Sequence, residues 1–253
     1  FMGLGFYKPH LPFVAPKQDW DAVQLWDVPP PAMREGMASK YTNKRSGEFY
    51  KYAMDFEKSR PLALEDAQAA RRAYLACVRY TDRQVGKVLD ALEKEGLADN
   101  TIVVLWGDHG WFLGEANQWG KHSPLETALH SPLIIRAPGA FKQGRQSDKV
   151  ASTIDIYPTL IDLCRPTFTK TAWPLDGTPL GQIPRDKQRE IVISTWGNAI
   201  TLRSMSHRLV VQMKDGKPSN IELYDLRLED GDYVDVAKQQ PEVVKAMLEK
   251  LPQ

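Results

Sequence analysis

Asp108 and His109 stand directly behind the apolar run Ile102-Val103-Val104-Leu105, and Trp119-Gly120-Lys121-His122 brings an ammonium and further imidazole soon after. A carboxylate offers a hard oxygen to a cation, an imidazole a nitrogen donor, and a lysine a mobile point charge for an anion. The run reads as a strand buried on both faces of a parallel sheet, and in open α/β sheets ligands gather beyond the carboxyl ends of such strands. The block thus has the side chains of a site that holds a cation and an anion together. Read alone, the pair also allows Asp108 as a turn cap with His109 packed beside it, and imidazole suits a transition metal better than calcium. Trp111, in the same block, could stack on a sugar ring or lid the strand end.

A second place where chemistry could sit is Gly5-Phe6-Tyr7-Lys8-Pro9-His10-Leu11-Pro12-Phe13. Residues 1–7 read as a buried strand, and Pro9, Pro12 and Pro16 force an extended loop after it. His10 therefore belongs to a loop at a strand exit, where an imidazole can hold or give a proton near neutral pH. The plain alternative is a loop histidine hydrogen-bonded to backbone. Lys8 either lines the same site or lies along the surface. His122 and His130 have no role that spacing assigns, and Glu115 reads as a brace for its loop.

The elements that must position these groups follow from pattern. Residues 20–61 lack sustained periodicity and read as a long excursion over a crevice, or an insertion without fixed structure. Apolar residues from Leu64 to about Glu95 recur at the spacing of an amphipathic helix, and Gly96 supplies its stop. Helix, short loop and strand 101–106 make a βαβ pattern, followed by a strand at 132–136 and a helix near 152–160 capped by Ser152 or Thr153. Pro, Gly and Thr between 165 and 189 mark a boundary. Beyond it come strands at 190–194, 199–204, 207–213 and 221–225, with Asp215-Gly216 as a hairpin turn, then a helix over 241–251. The expected fold class is α/β, with residues 1–175 belonging to a catalytic domain and 176–253 to a small α+β subdomain. Cys77 and Cys164 read as small apolar fillers on helices, and Asp82 as a structural contact.

With 33 basic and 32 acidic residues among 253, the charge balance favours no nucleic acid and no anionic membrane as partner. No apolar run approaches the ~20 residues of a transmembrane helix.

Four blocks in register, around His10, at Tyr80-Thr81-Asp82-Arg83-Gln84-Val85-Gly86, from Asp108 to Lys121, and at Glu222-Leu223-Tyr224-Asp225-Leu226, resemble the second half of a sulfatase. The family belongs to the alkaline-phosphatase-like superfamily, and the closest resemblance is to its iduronate-2-sulfatase-like branch. It implies a mixed sheet sandwiched by helices, followed by a small antiparallel sheet with one helix. It also implies a calcium ion held by Asp108 and His109, Lys121 on the sulfate, His10 on the sulfate or the leaving alcohol, and Lys8 and Trp111 toward substrate. A sulfated sugar or glycosaminoglycan is the implied substrate, and a periplasmic, extracellular or lysosomal setting the implied location.

The departures from the family matter equally. Its paired aspartates, and the Cys-x-Pro-x-Arg or Ser-x-Pro-x-Arg segment oxidised to formylglycine, do not occur here: Cys77 precedes Val78-Arg79-Tyr80 and Cys164 precedes Arg165-Pro166-Thr167. The opening Phe1-Met2-Gly3-Leu4 reads as a strand entered midway. The expectation is a sulfuric ester hydrolase that is inactive as this chain alone, with a complementary N-terminal polypeptide completing its site. The alternatives are a phosphodiesterase or phosphonate hydrolase on the same scaffold, and a catalytically silent, truncated sulfatase-like protein.

Overall fold

The computed structural model describes residues 1–31, 39–42, 47–52, 61–141, 144, 146–167, 171–181, 189–229 and 231–252. Its helices are α1 (Lys17–Asp21), α2 (Gly47–Tyr52), α3 (Leu64–Lys94), α4 (Glu126–Leu129), α5 (Ile156–Cys164) and α6 (Pro241–Leu248). Its strands are β1 (Val103–Trp106), β2 (Phe112–Leu113), β3 (Trp119–Gly120), β4 (Leu133–Arg136), β5 (Val192–Trp196), β6 (Ala199–Arg203), β7 (His207–Lys214) and β8 (Lys217–Asp225). They divide between two compact units. The first comprises Phe1–Ala38, Thr42–Asn100 and Trp111–His122; the second comprises Ser39–Tyr41, Thr101–Gly110 and Ser123–Gln253. Position 175 falls inside the second.

The spine of the first unit is α3, placed where the apolar spacing predicts it. Glu65 and Asp66 lie in its first turn, where negative charge favours the exposed N–H groups. Gly96 ends it in the left-handed conformation (φ 67°), donating its N–H to the Glu93 carbonyl at 2.9 Å. Ala67, Ala70, Ala76 and Cys77 are buried along its length. Burial pushes the Cys77 thiol up, in keeping with a packing role. Leu11, Phe49, Leu62, Ala67, Ala70 and Trp119 form one core cluster, with the Phe49 and Trp119 rings stacked at 4.7 Å.

A six-residue helix such as α2 is too short to persist by propensity. Burial of Phe49, on the order of 1.5–3 kcal/mol for such a side chain, anchors it. Of the expected excursion over 20–61, residues 32–38, 43–46 and 53–60 lie outside the described residues. Residues 1–7 correct an expectation: they form no strand, and Phe6 and Tyr7 are exposed. Apolar content is not enough for a strand, which also needs a hydrogen-bonding neighbour.

In the second unit β1 pairs with β4 in antiparallel register, Val103 opposite Arg136 and Trp106 opposite Leu133. This corrects the parallel, doubly buried reading of the apolar run: Trp106 and Ile134 are exposed, so two paired strands leave part of each face uncovered. A run of Val and Leu cannot by itself encode the direction of its partner. Ser152 and Asp155 form a reciprocal capping box ahead of α5, which places the cap at the first of the two expected positions, Ser152 or Thr153. Cys164, at the end of α5, is exposed instead of packed.

The C-terminal half of this unit is a four-stranded antiparallel meander, β5-β6-β7-β8. Asp215 and Gly216 take φ of 52° and 72° at the β7–β8 turn, the signature of a type I′ hairpin. Leu202, Leu209, Val211 and Leu223 pack with Val236 and with Met247 of α6. No described helix is long and apolar enough to cross a membrane.

Candidate functional site

Three elements of the first unit converge on one carboxylate. The His10 loop is a tight turn in which the His10 N–H donates to the Tyr7 carbonyl at 3.1 Å. The Thr81 hydroxyl of α3 donates to the Lys8 carbonyl at 2.9 Å, tying the loop to the spine. His10 Nδ1 lies 2.8 Å from the Leu11 carbonyl. A carbonyl can only accept, so Nδ1 carries the proton there and Nε2 is the nitrogen left for chemistry. Lys8 turns its ammonium back onto the carbonyls of His10 and Pro12, a role in shaping the loop.

The β2–β3 hairpin supplies the second element. Arg71 of α3 donates to the Leu113 carbonyl at 3.0 Å and to Glu115 Oε1 at 2.7 Å, while Glu115 Oε2 accepts the Leu113 N–H at 2.6 Å. Glu115 is the brace expected of it. Gly114, at φ 102°, leaves no room for a side chain, because a Cβ would stand 2.8 Å from both Pro31 and Trp119. Trp111 packs against the core cluster and edge-on to Phe13. Lys121 Nζ lies 5.5 Å from the centroid of the Trp111 ring, a cation–π distance that steers the ammonium inward.

The third element is α2. Glu48 Oε1 lies 3.2 Å from His10 Nε2 and 3.4 Å from Lys121 Nζ, and Glu48 Oε2 lies 3.3 Å from His122 Nε2. Lys121 Nζ and His10 Nε2 are themselves 3.5 Å apart. The four side chains are 18–34% exposed, so they are screened less than a surface pair. Sequence reasoning identified His10 and Lys121 but missed Glu48 and left His122 without a role. Glu48 sits on a helix with no periodic signal, within the stretch that reads as irregular.

Asp108 and His109 belong to the second unit. Gly107 donates its N–H to the Pro132 carbonyl at 3.0 Å, and Gly110 donates its own to Ala128 at 2.8 Å. A Cβ on Gly110 would stand 2.0 Å from the Thr127 carbonyl oxygen, so this anchor requires glycine. Between the two anchors, Asp108 Oδ1 accepts the His109 N–H at 3.1 Å, and its Oδ2 lies 3.4 Å from His109 Nε2. His109 Nδ1 is 2.8 Å from the Gly110 carbonyl, which leaves Nε2 as the lone-pair nitrogen of the neutral ring, the arrangement of a metal-ligating histidine. The Asp108 side chain is 85% exposed. This pair fits a cation as part of a donor set. No group of three or more His, Cys, Asp or Glu able to hold a metal occurs among the described residues, so calcium, which takes 6–8 oxygens, would draw its other ligands from elsewhere.

The two remaining blocks build structure. Arg83 of α3 grips the buried Asp19 with Nη2–Oδ2 at 2.7 Å. In the second unit Glu222 accepts the Ser39 hydroxyl at 2.6 Å, the Lys40 N–H at 2.8 Å and the Tyr224 hydroxyl at 2.5 Å. Burial first, and then Glu222, push the Tyr224 hydroxyl far up. Asp225 is held well below the usual carboxylate range by Arg227.

The sulfatase family model matches residues 4–165. A sulfatase of Formosa agariphila is 34% identical over 180 residues, covering 64% of this chain and 32% of that protein. Human iduronate 2-sulfatase is 29% identical over 194 residues, covering 64% of this chain and 35% of its own length. The chain thus spans about a third of the length of these relatives. Among solved structures, a phosphonate monoester hydrolase of Silicibacter pomeroyi superposes with a TM-score of 0.77 at 26% identity over 95% of this chain and 53% of that one. A protein solved with its substrate D-glucosamine-2-N,6-O-disulfate gives 0.60 at 26% identity over 81% and 44%.

Proposed function

The chain belongs to the sulfatase family and has its alkaline-phosphatase-like α/β fold, and from that premise we propose that it supplies the anion-binding and acid side chains of a sulfuric ester hydrolase acting on a sulfated sugar or glycosaminoglycan. The observation that carries this is the approach of His10 Nε2 and Lys121 Nζ to 3.5 Å from positions 111 residues apart. An ammonium beside an imidazole is what cleavage of a sulfate ester asks for: one cation on the oxygens of the transferring group, one proton for the departing alcohol.

In this reading Lys121 holds a sulfate oxygen while the S–O bond to the alcohol breaks. His10 Nε2–H gives its proton to the leaving oxygen, and Nδ1, fixed on the Leu11 carbonyl, keeps the ring pointed. Trp111 backs the ammonium and offers an aromatic face to a sugar, and Lys8 keeps the His10 loop in shape. Asp108 and His109 would supply two ligands to a calcium ion, whose chemistry when bound would be that of a Lewis acid toward an oxyanion. The nucleophile, formylglycine in this family, comes from polypeptide outside these 253 residues, either continuous with them or a separate complementary chain. The likeness to iduronate 2-sulfatase favours a 2-sulfated uronic acid.

The likeness to a phosphonate monoester hydrolase supports a second reading, in which the same cations bind a phosphonate ester. Turnover separates the two. The 253-residue protein by itself should hydrolyse neither ester class, and the protein completed with the nucleophile segment should release sulfate from a sulfated disaccharide faster than alcohol from a phosphonate monoester. Robust sulfatase turnover by the 253 residues alone, or a preference for the phosphonate, would overturn the proposal.

A further inference from the structure

His10 has one nitrogen for substrate, and that nitrogen already faces Glu48 Oε1 at 3.2 Å. Lys121 faces the same oxygen at 3.4 Å. A sulfate ester bound as described above would bring its own oxygens to these two donors, and two anions cannot share them without strong like-charge repulsion in a partly buried place. The position of Glu48 Oε1 is therefore the position of a substrate oxygen. The other carboxylate oxygen stands 3.3 Å from His122 Nε2. A carboxylate is planar and a sulfate tetrahedral, but both present anionic oxygens at similar spacing, and three nitrogens that stand at ion-pair distance from one, 3.2–3.4 Å, have the charge to face the other.

We propose that His122 is a third anion-binding residue beside Lys121 and His10, and that the Glu48 carboxylate is an internal ligand of this pocket which the anionic group of the substrate displaces. The inference rests on the sulfatase reading for the identity of the anion, but not for the existence of the pocket. Release needs only rotation of the Glu48 side chain from its place on α2, leaving Phe49 in the core. Two consequences follow. An anion must outcompete a tethered carboxylate, so weak anions are rejected. The imidazoles and the ammonium stay oriented between turnovers, since they always hold an oxyanion.

Inorganic sulfate, titrated into the 253-residue protein, tests this without any turnover. Glu48→Gln keeps the shape and removes the competing charge; it should bind sulfate about tenfold more tightly than the parent protein, and adding His122→Ala should reverse most of that gain. Binding by Glu48→Gln that is equal to or weaker than that of the parent would overturn the proposal and leave Glu48 as a brace. Should Glu48→Gln fail to fold, the parent protein carrying 13C-labelled glutamate decides: sulfate should shift the Glu48 carboxyl resonance together with the His10 and His122 imidazole signals, and sulfate that moves the imidazoles while leaving Glu48 untouched refutes displacement. A pocket that passes these tests in a protein whose completed form cleaves no sulfate ester would sink the functional reading and leave the pocket standing.

Discussion

Arg71 Nη1 and Glu115 Oε1 meet at 2.7 Å, and through that contact the long helix α3 holds the hairpin that carries Trp111 and Lys121. The same helix holds the His10 loop through Thr81. Two loops far apart in sequence are thus both tied to one helix, and damage to either tether should be felt at the cluster without touching it.

Arg71→Met keeps much of the buried stem and removes both donors, leaving Glu115 with the Leu113 N–H alone. We expect a loss of about 1–3 kcal/mol, expressed locally. Amide hydrogen exchange at Phe112, Leu113 and Gly120 should speed up while α3 stays protected. Uniform protection across the hairpin in the variant would show that the tether is dispensable.

His10 and Lys121 should separate by leaving group in the completed enzyme. His10→Ala should slow alkyl sulfates on the order of 100-fold, the scale of general acid catalysis, and activated aryl sulfates far less, since those depart without a proton. Lys121→Ala acts on the transferring group and should slow both alike, on the order of 100-fold or more. Equal losses for both leaving groups in the His10 variant would remove its acid role.

Asp108→Ala should weaken calcium binding by the completed protein at least about tenfold, by loss of a charged oxygen ligand. Calorimetric titration reads this directly. An isotherm unchanged by the substitution counts decisively against Asp108 as a ligand.

Stability should fall with acid through Asp225. Its carboxyl accepts Arg227 Nη2 at 2.6 Å and Gln240 Nε2 at 3.0 Å. Arg227 in the first place, with Gln240 and His207, lowers its pKa against the opposing effect of burial. A carboxyl depressed on folding stabilises the native state above its unfolded value, near 3.9, and loses that contribution as the pH falls below it. The melting temperature should therefore carry the full, constant contribution of Asp225 between pH of about 7 and 5, and should drop below about 4 as that contribution is lost. Asp225→Asn should lower the plateau and shallow the acid limb, and an acid limb identical to the parent's would assign the transition to other carboxyls.

Much of this molecule was legible as sequence because its cause is local. The 3.6-residue spacing of Ala70, Ala73, Cys77 and Val78 with Gly96 behind them predicts α3, Asp215-Gly216 predicts the β7–β8 turn, and Ser152-Thr153 predicts a cap at one or the other; each depends on residues within a few positions of one another. Asp108-His109, Lys121 and His10 were legible as candidates for the same reason, as short motifs, and the structure brings His10 and Lys121 together within the first unit. Partners distant in the chain were not. Whether Val103–Trp106 pairs parallel or antiparallel depends on which strand arrives beside it, and the apolar opening residues show that a strand-like composition stays unpaired without one. Glu48 is the sharpest case. Nothing near it in the chain marks it, and only the burial of Phe49 on the α3 core brings its carboxylate to two imidazoles and an ammonium, because an ion cluster is set by distances in space that packing alone decides.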